Sequence, residues 1–185
     1  MMKTLSRFAL AAALAAITSG CALSLRNPDI ADLRNHPGRY QDHMLKELLP
    51  WAESKYRIAP GRQNRALAGI SMGGGQTFSI GFGHLDLFSA LGVFSSAPGP
   101  DFATKFKALL DDAKGTNAKL NVFWYANGDK DPVFTRAKEA SDLFNKQQLR
   151  HTFRVYEGGL HTWPIWRRCL SEFAPLLFQG SKTGA

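Results

Sequence analysis

Ser71 lies in Gly69-Ile70-Ser71-Met72-Gly73, a G-x-S-x-G pentapeptide between an apolar run and a run of small residues. Serine on a sharp strand-to-helix turn is held in strained geometry with its hydroxyl exposed above a sheet. The flanking glycines leave room for the turn and for close strand–helix packing. A serine hydroxyl is unreactive at its ordinary pKa and needs a neighbouring base before it can attack a carbonyl carbon. The spacing therefore predicts acyl chemistry if a base and an acid follow in the chain.

Two later segments supply candidates. Asn127-Gly128-Asp129-Lys130-Asp131 follows one apolar run and Glu157-Gly158-Gly159-Leu160-His161 follows another. His161 is the candidate base, taking the Ser71 proton and delivering it to the leaving alcohol. The two glycines before it allow a tight loop that turns the imidazole toward Ser71. The other histidines, His36, His43, His84 and His151, stand in places that do not reach the same rim. The acid that orients the imidazole is Asp129 or Asp131. Asp131 precedes Pro132 and could equally be a plain helix cap, so position alone leaves the pair open. The order Ser, Asp, His is the one used by hydrolases with this elbow. The backbone N–H of Met72, at the start of the following helix, is the candidate oxyanion donor. Trp163, two residues past His161, is the candidate substrate-binding side chain.

These groups must be carried by alternating strands and helices. Apolar residues at helical spacing predict a helix from Tyr40 to Tyr56, limited or kinked at Pro50. Strands are predicted at Arg65–Gly69, Ala90–Ser95, Leu120–Ala126 and Thr152–Tyr156. Helices are predicted at Met72–Phe82, from an Asp101 cap to Ala113, from Pro132 to Gln147, and from Trp163 to Phe178. Strand–helix alternation implies an α/β fold with a mostly parallel sheet of about four strands flanked by helices. Chemistry then collects outside the carboxyl ends of the strands, where Ser71, Asp131 and His161 all fall.

The chain has 185 residues, enough for one domain with its own core. Lys3 and Arg7 precede an apolar stretch from Phe8 to Ile17 that is too short to span a bilayer. Residues 1–22 read as a signal peptide, 23–39 as an irregular linker, 40–179 as the folded domain and 180–185 as a tail. Export to the periplasm or outside the cell is the expectation. Cys21 after small residues resembles a lipoprotein processing site and would be the only route to a membrane. Cys169 falls in an apolar helix and reads as a buried thiol, so no disulfide is expected in the mature chain. Net charge is +8, or +6 without Lys3 and Arg7. The basic residues are scattered, with no arginine-rich or aromatic-interleaved stretch, which excludes a nucleic-acid surface. The five histidines and two cysteines show no metal-ligand spacing. No cofactor is expected.

Two blocks carry a family resemblance. Arg65-Ala66-Leu67-Ala68-Gly69-Ile70-Ser71-Met72-Gly73-Gly74-Gly75-Gln76 and Gly158-Gly159-Leu160-His161-Thr162-Trp163-Pro164-Ile165-Trp166-Arg167 resemble the feruloyl-esterase-like branch of the Putative esterase family, in the α/β-hydrolase superfamily. Leu45-Lys46-Glu47-Leu48-Leu49-Pro50-Trp51 is similar to that family's "ELIP" helix. The resemblance runs from about Asn27 to Phe178. It implies a Ser71–Asp131–His161 triad, because the family's acid sits in a G-x-x-D segment, here Gly128 to Asp131. It implies a serine carboxylic ester hydrolase acting on feruloyl or acetyl esters of plant xylan, or on related small esters.

The chain departs from that pattern ahead of the "ELIP" helix. Family members carry a long further segment there, with the first strands and the loop that donates the second oxyanion N–H. Relative to the family the fold is expected to be N-terminally truncated. The second oxyanion donor is unknown, and loss of one donor typically costs about 10²–10³ in turnover. The Arg65–Gly69 strand would become a sheet edge, which invites self-association. The alternative to an enzyme is therefore a non-catalytic or weakly active remnant that serves as a binding or self-associating module.

Overall fold

The structure, a computed structural model, describes residues 37–179. The expected signal peptide, the Cys21 processing site, most of the linker and the 180–185 tail lie outside the described residues. Residues 37–39, read as the linker's end, already belong to the first helix. That helix runs as α1 (Pro37–Asp42), a π-helical stretch (His43–Leu48) and α2 (Leu49–Lys55). Proline has no N–H to give and its ring crowds the carbonyl four residues back. The widened turns end two residues before Pro50 and relieve that crowding, so the helix passes through Pro50 and does not stop there.

Four strands follow: β1 (Ala66–Ile70), β2 (Ala90–Phe94), β3 (Val122–Gly128) and β4 (Thr152–Tyr156). They pair in sequence order, and all three pairings are parallel. Between them lie α3 (Met72–Gly83), then α4 (Phe102–Lys105), α5 (Lys107–Asp111) and α6 (Ala113–Lys119), then α7 (Phe134–Lys146). The chain closes with α8 (Trp163–Phe173) and a 3₁₀ turn, Ala174–Leu176. Every residue of β2 is buried, as a central parallel strand requires.

The alternating strand residues divide the core. Leu67, Leu91, Val93, Phe123 and Tyr125 point to the face covered by Met44 of the π-helical stretch, α3, α4–α6 and α7. Phe94, Trp124, Ala126 and Tyr156 point to the other face, covered by Cys169 and Phe173 of α8. On the first face the Phe78 ring meets those of Phe82, Phe102, Phe123, Tyr125 and Phe144 at centroid distances of 5.4–6.3 Å. Truncating one such buried ring costs about 3–5 kcal/mol.

Several element boundaries differ from the sequence expectation. The helix expected from Asp101 to Ala113 is three short helices that continue to Lys119. Asp101 makes no side-chain cap, whereas Asp112 accepts from the Gly115 N–H at 3.0 Å and restarts the chain as α6. The breaks at Phe106 and Asp112 bend the segment so that Phe102, Phe106 and Leu110 all remain in the core. The third strand begins two residues later than expected and runs to Gly128. Helix α7 begins at Phe134 and not at Pro132. The last α-helix stops at Phe173, because Pro175 cannot continue its hydrogen bonding. Among the described residues, no helix is long and apolar enough to cross a membrane.

Candidate active site

Ser71 joins β1 to α3 with φ 53° and ψ −119°, a conformation rarely adopted outside glycine. Holding it costs on the order of 1–3 kcal/mol, which the surroundings must offset. They do so on both sides. The Ser71 N–H donates to the Phe94 carbonyl at 2.9 Å, and its carbonyl accepts from the Gly75 N–H at 3.1 Å. The turn is so tight that a Cβ on Gly69 would lie 2.2 Å from the Gly73 carbonyl oxygen. Only glycine fits there. The N–H of Met72 stands at the N-terminus of α3, in the first turn, where backbone donors lack intrahelical partners.

Asp131 and His161 arrive from the rim loops after β3 and β4. His161 Nε2 lies 3.0 Å from Ser71 Oγ, and His161 Nδ1 lies 2.9 Å from Asp131 Oδ2. An ionised carboxylate only accepts, so Nδ1 carries the proton and Nε2 is free to accept from the Ser71 hydroxyl. The Asp131 side chain is wholly buried, while that of His161 is 31% exposed. The second Asp131 oxygen accepts from the Val133 N–H at 3.0 Å. This bond closes a local turn ahead of α7, so the helix-cap reading of Asp131 holds only in that limited form. It leaves the other oxygen for the imidazole. Asp129 makes no bond to His161; its Oδ1 is buried without a partner.

The Asp131 and His161 loops are locked together. The Asp129 N–H donates to the Tyr156 carbonyl at 3.1 Å and the Lys130 N–H to the Gly159 carbonyl at 2.9 Å. Behind His161, the Trp166 ring stands edge-on at 5.1 Å between centroids. Trp163 stacks edge-on against Trp166 at 5.2 Å and is 43% exposed. Trp163 is thus one ring removed from the imidazole, and Trp166 is the tryptophan that touches it. Sequence reading does not single out Trp166; its place three residues after Trp163, on the first turn of α8, is the signal available for it.

A cavity of about 380 Å³ opens beside Ser71 and Met72, with Ser95, Ser96 and Arg136 in its wall. Sequence reading also passes over these residues. Ser95 and Ser96 follow β2 at the same rim as Ser71, and that position is the mark they carry. The Ser96 carbonyl accepts from the Tyr125 hydroxyl at 2.7 Å and from Asn127 Nδ2 at 3.4 Å, which fixes this wall. Burial raises the Tyr125 pKa far above its ordinary value, so the phenol remains a donor at any working pH. Among the described residues, no group of three or more His, Cys, Asp or Glu is placed to hold a metal ion. Cys169, buried under the sheet, has its thiol pushed up to about 12, chiefly by burial, and is a packing residue.

The Esterase family, described as "Putative esterase", matches residues 27–177. The chain is 27% identical over 144 residues to an endo-1,4-beta-xylanase/feruloyl esterase of Xylanibacter ruminicola, covering 76% of this chain and 18% of that protein. It superposes on a solved ferulic acid esterase with a TM-score of 0.61 at 28% identity, covering 75% of this chain and 60% of the other. It superposes on the feruloyl esterase module from Clostridium thermocellum, solved with sinapinate, with a TM-score of 0.67 at 18% identity. That match covers 79% of this chain and 60% of the module, and at this identity it speaks for the fold alone. The chain therefore spans less than two thirds of each of these relatives.

Proposed function

The chain belongs to the Putative esterase family, and on that premise we propose that it is a serine carboxylic ester hydrolase of the feruloyl or acetyl-xylan esterase kind. The observation that carries this reading is the unbroken line Asp131–His161–Ser71, joined at 2.9 and 3.0 Å. Ser71 Oγ attacks the ester carbonyl carbon as His161 Nε2 takes its proton. The oxyanion forms against the Met72 N–H. Asp131 holds the imidazole in the required tautomer and stabilises the imidazolium without taking the proton. The carbon–oxygen bond to the alcohol then breaks, and the alcohol leaves with the proton from Nε2. Water, deprotonated by the same nitrogen, attacks the acyl-enzyme, which frees the acid and returns the proton to Ser71. Trp163, exposed beside this line, offers an aromatic face to an aromatic acyl group or a sugar.

The relatives named as feruloyl or ferulic acid esterases support feruloyl esters as the substrate class, with acetyl esters of plant xylan kept as part of the same proposal. The basic and then apolar N-terminal stretch supports export as part of the same proposal. A second reading rests on β1, which lies at the edge of the sheet with one side unpaired among the described residues. That edge favours a self-associating module. Hydrolysis of p-nitrophenyl acetate and methyl ferulate by the purified chain, set against Ser71→Ala, separates the two. A rate that vanishes in the variant supports the esterase; equal rates in both proteins rule it out.

A further inference from the structure

The cavity beside Ser71 carries a charge that the hydrolytic line does not use. Arg136, on the first turn of α7, reaches across to the loop after β2, where its Nη2 donates to the Pro98 carbonyl at 3.0 Å. That bond pins the guanidinium at the cavity wall and leaves its other N–H groups available. Among the described residues, no acidic side chain lines the cavity. Among the described residues Arg136 has no carboxylate partner, unlike Arg65, Arg154 and Arg168. The rest of the polar wall is neutral: Gln76, Ser79, Ser95 and Ser96. The Ser95 hydroxyl is fully buried and, among the described residues, without a partner, at a residue held at φ 47°. A buried hydroxyl left without a partner is uncommon and marks a place where a ligand or water completes the bonding.

We propose that this cavity binds a carboxylate carried by the ester, and that Arg136 makes the site select anionic esters over neutral ones. The proposal rests on Ser71 being the nucleophile of an esterase, and it narrows the substrate to esters that carry a carboxylate, with simple neutral feruloyl or acetyl esters the poorer substrates. Arginine suits the task because its planar fork meets a carboxylate through two parallel bonds and stays charged at every working pH. Gln76 and Ser79 offer neutral donors from the α3 side of the same space. The carboxylate could belong to the acyl or to the alcohol part, and matched ester pairs tell the two apart.

On the acyl side the pair is the p-nitrophenyl half-ester of glutarate against p-nitrophenyl valerate. On the alcohol side it is para-acetoxybenzoate against para-acetoxybenzamide. The anionic member of one pair should show a kcat/KM roughly tenfold above its neutral partner, the lower end of what a hydrogen bond to a charged group contributes. The ratio should fall toward one in Arg136→Gln, recover in part in Arg136→Lys, and shrink as salt is raised. Calorimetric titration of para-acetoxybenzoate and para-acetoxybenzamide, and of monomethyl glutarate and methyl valerate, into Ser71→Ala with and without Arg136→Gln reads the site without turnover. A carboxylate preference lost with Arg136 supports the carboxylate site even where the wild-type chain hydrolyses neither ester pair, a result that bears on the esterase reading alone. Equal handling of anionic and neutral members in both assays, or a preference that survives Arg136→Gln, overturns it.

Discussion

Gly128 and Gly159 touch backbone to backbone: a Cβ on Gly128 would lie 2.1 Å from the Gly159 carbonyl oxygen. Real Cβ atoms do not come that close to backbone, and neither partner is a flexible side chain that could move aside. The contact sets the spacing of the loops that carry Asp131 and His161. Together with the backbone bonds between the loops it lets those two side chains meet at 2.9 Å.

Gly128→Ala should therefore push the two loops apart and lengthen the bond between the imidazole and the carboxylate. The expected result is a loss of about 1–3 kcal/mol of stability, the usual cost of overpacking, with esterase turnover falling further than the loss of folded protein explains. Gly83→Ala is the matched control, since a Cβ there, at the end of α3, would meet nothing within 4 Å. Thermal melts and kcat for both variants check the pair. Similar behaviour of the two would count against the loop contact as the spacing device.

Asp131 and Asp129 can be separated in the same assay. Asp131→Asn removes the charge that favours the imidazolium and allows the wrong tautomer at His161, so kcat should drop by about 10⁴ with the protein still folded. Asp129→Asn touches no atom of His161, and its turnover should stay close to wild type. The reverse ranking would move the acid to Asp129.

His151 gives a pH dependence of stability that is independent of the active site. Its Nδ1 meets the Leu149 carbonyl at 3.0 Å and its Nε2 meets the Ser141 hydroxyl at 2.7 Å. A carbonyl only accepts, so Nδ1 donates and neutral Nε2 accepts. Burial lowers the folded-state pKa below the ordinary 6.5. The unfolded chain then binds the proton more readily than the folded one. The contribution of this residue to stability is complete above pH 6.5 and is lost as the pH falls below 6.5 toward the lowered folded value. Melting temperatures at about pH 7.5 and about pH 5.5, either side of the ordinary histidine pKa, should differ less in His151→Gln than in the wild-type chain. An unchanged difference would assign the acid sensitivity to other groups.

The strands and the elbow are legible in sequence because apolar runs such as Leu91-Gly92-Val93-Phe94 and Phe123-Trp124-Tyr125-Ala126 can only be buried in a layered sheet. The choice between Asp129 and Asp131 is not legible from residue types. The two lie in one loop, and the Gly128–Gly159 contact, a long-range packing relation, decides which carboxylate faces His161. The restart at Asp112 is hidden because Gly115 and Thr116 are poor helix residues, and the cap that rescues α6 depends on backbone angles. Arg136 reads in sequence as one more solvated charge on an amphipathic helix. Only the path of the chain from Ser95 to Pro98 brings a cavity wall to it.

The edge of β1 offers the last prediction. The Arg65 carbonyl accepts from the Ser89 N–H and the Ser71 N–H donates to the Phe94 carbonyl, so the odd-numbered backbone groups of this strand face β2. The N–H and C=O groups of Ala66, Ala68 and Ile70 therefore face away from the sheet, toward the open side. Among the described residues nothing pairs with this row, and such a row is a template for another chain. Sedimentation velocity should show concentration-dependent association of the wild-type chain. Ala68→Pro deletes an outward N–H while sparing every ladder bond to β2, a placement that edge strands tolerate. It should shift the distribution toward monomer without loss of cooperative melting. A wild-type chain that sediments as a monomer throughout, or association unaffected by Ala68→Pro, would show that this edge does not pair with a second copy.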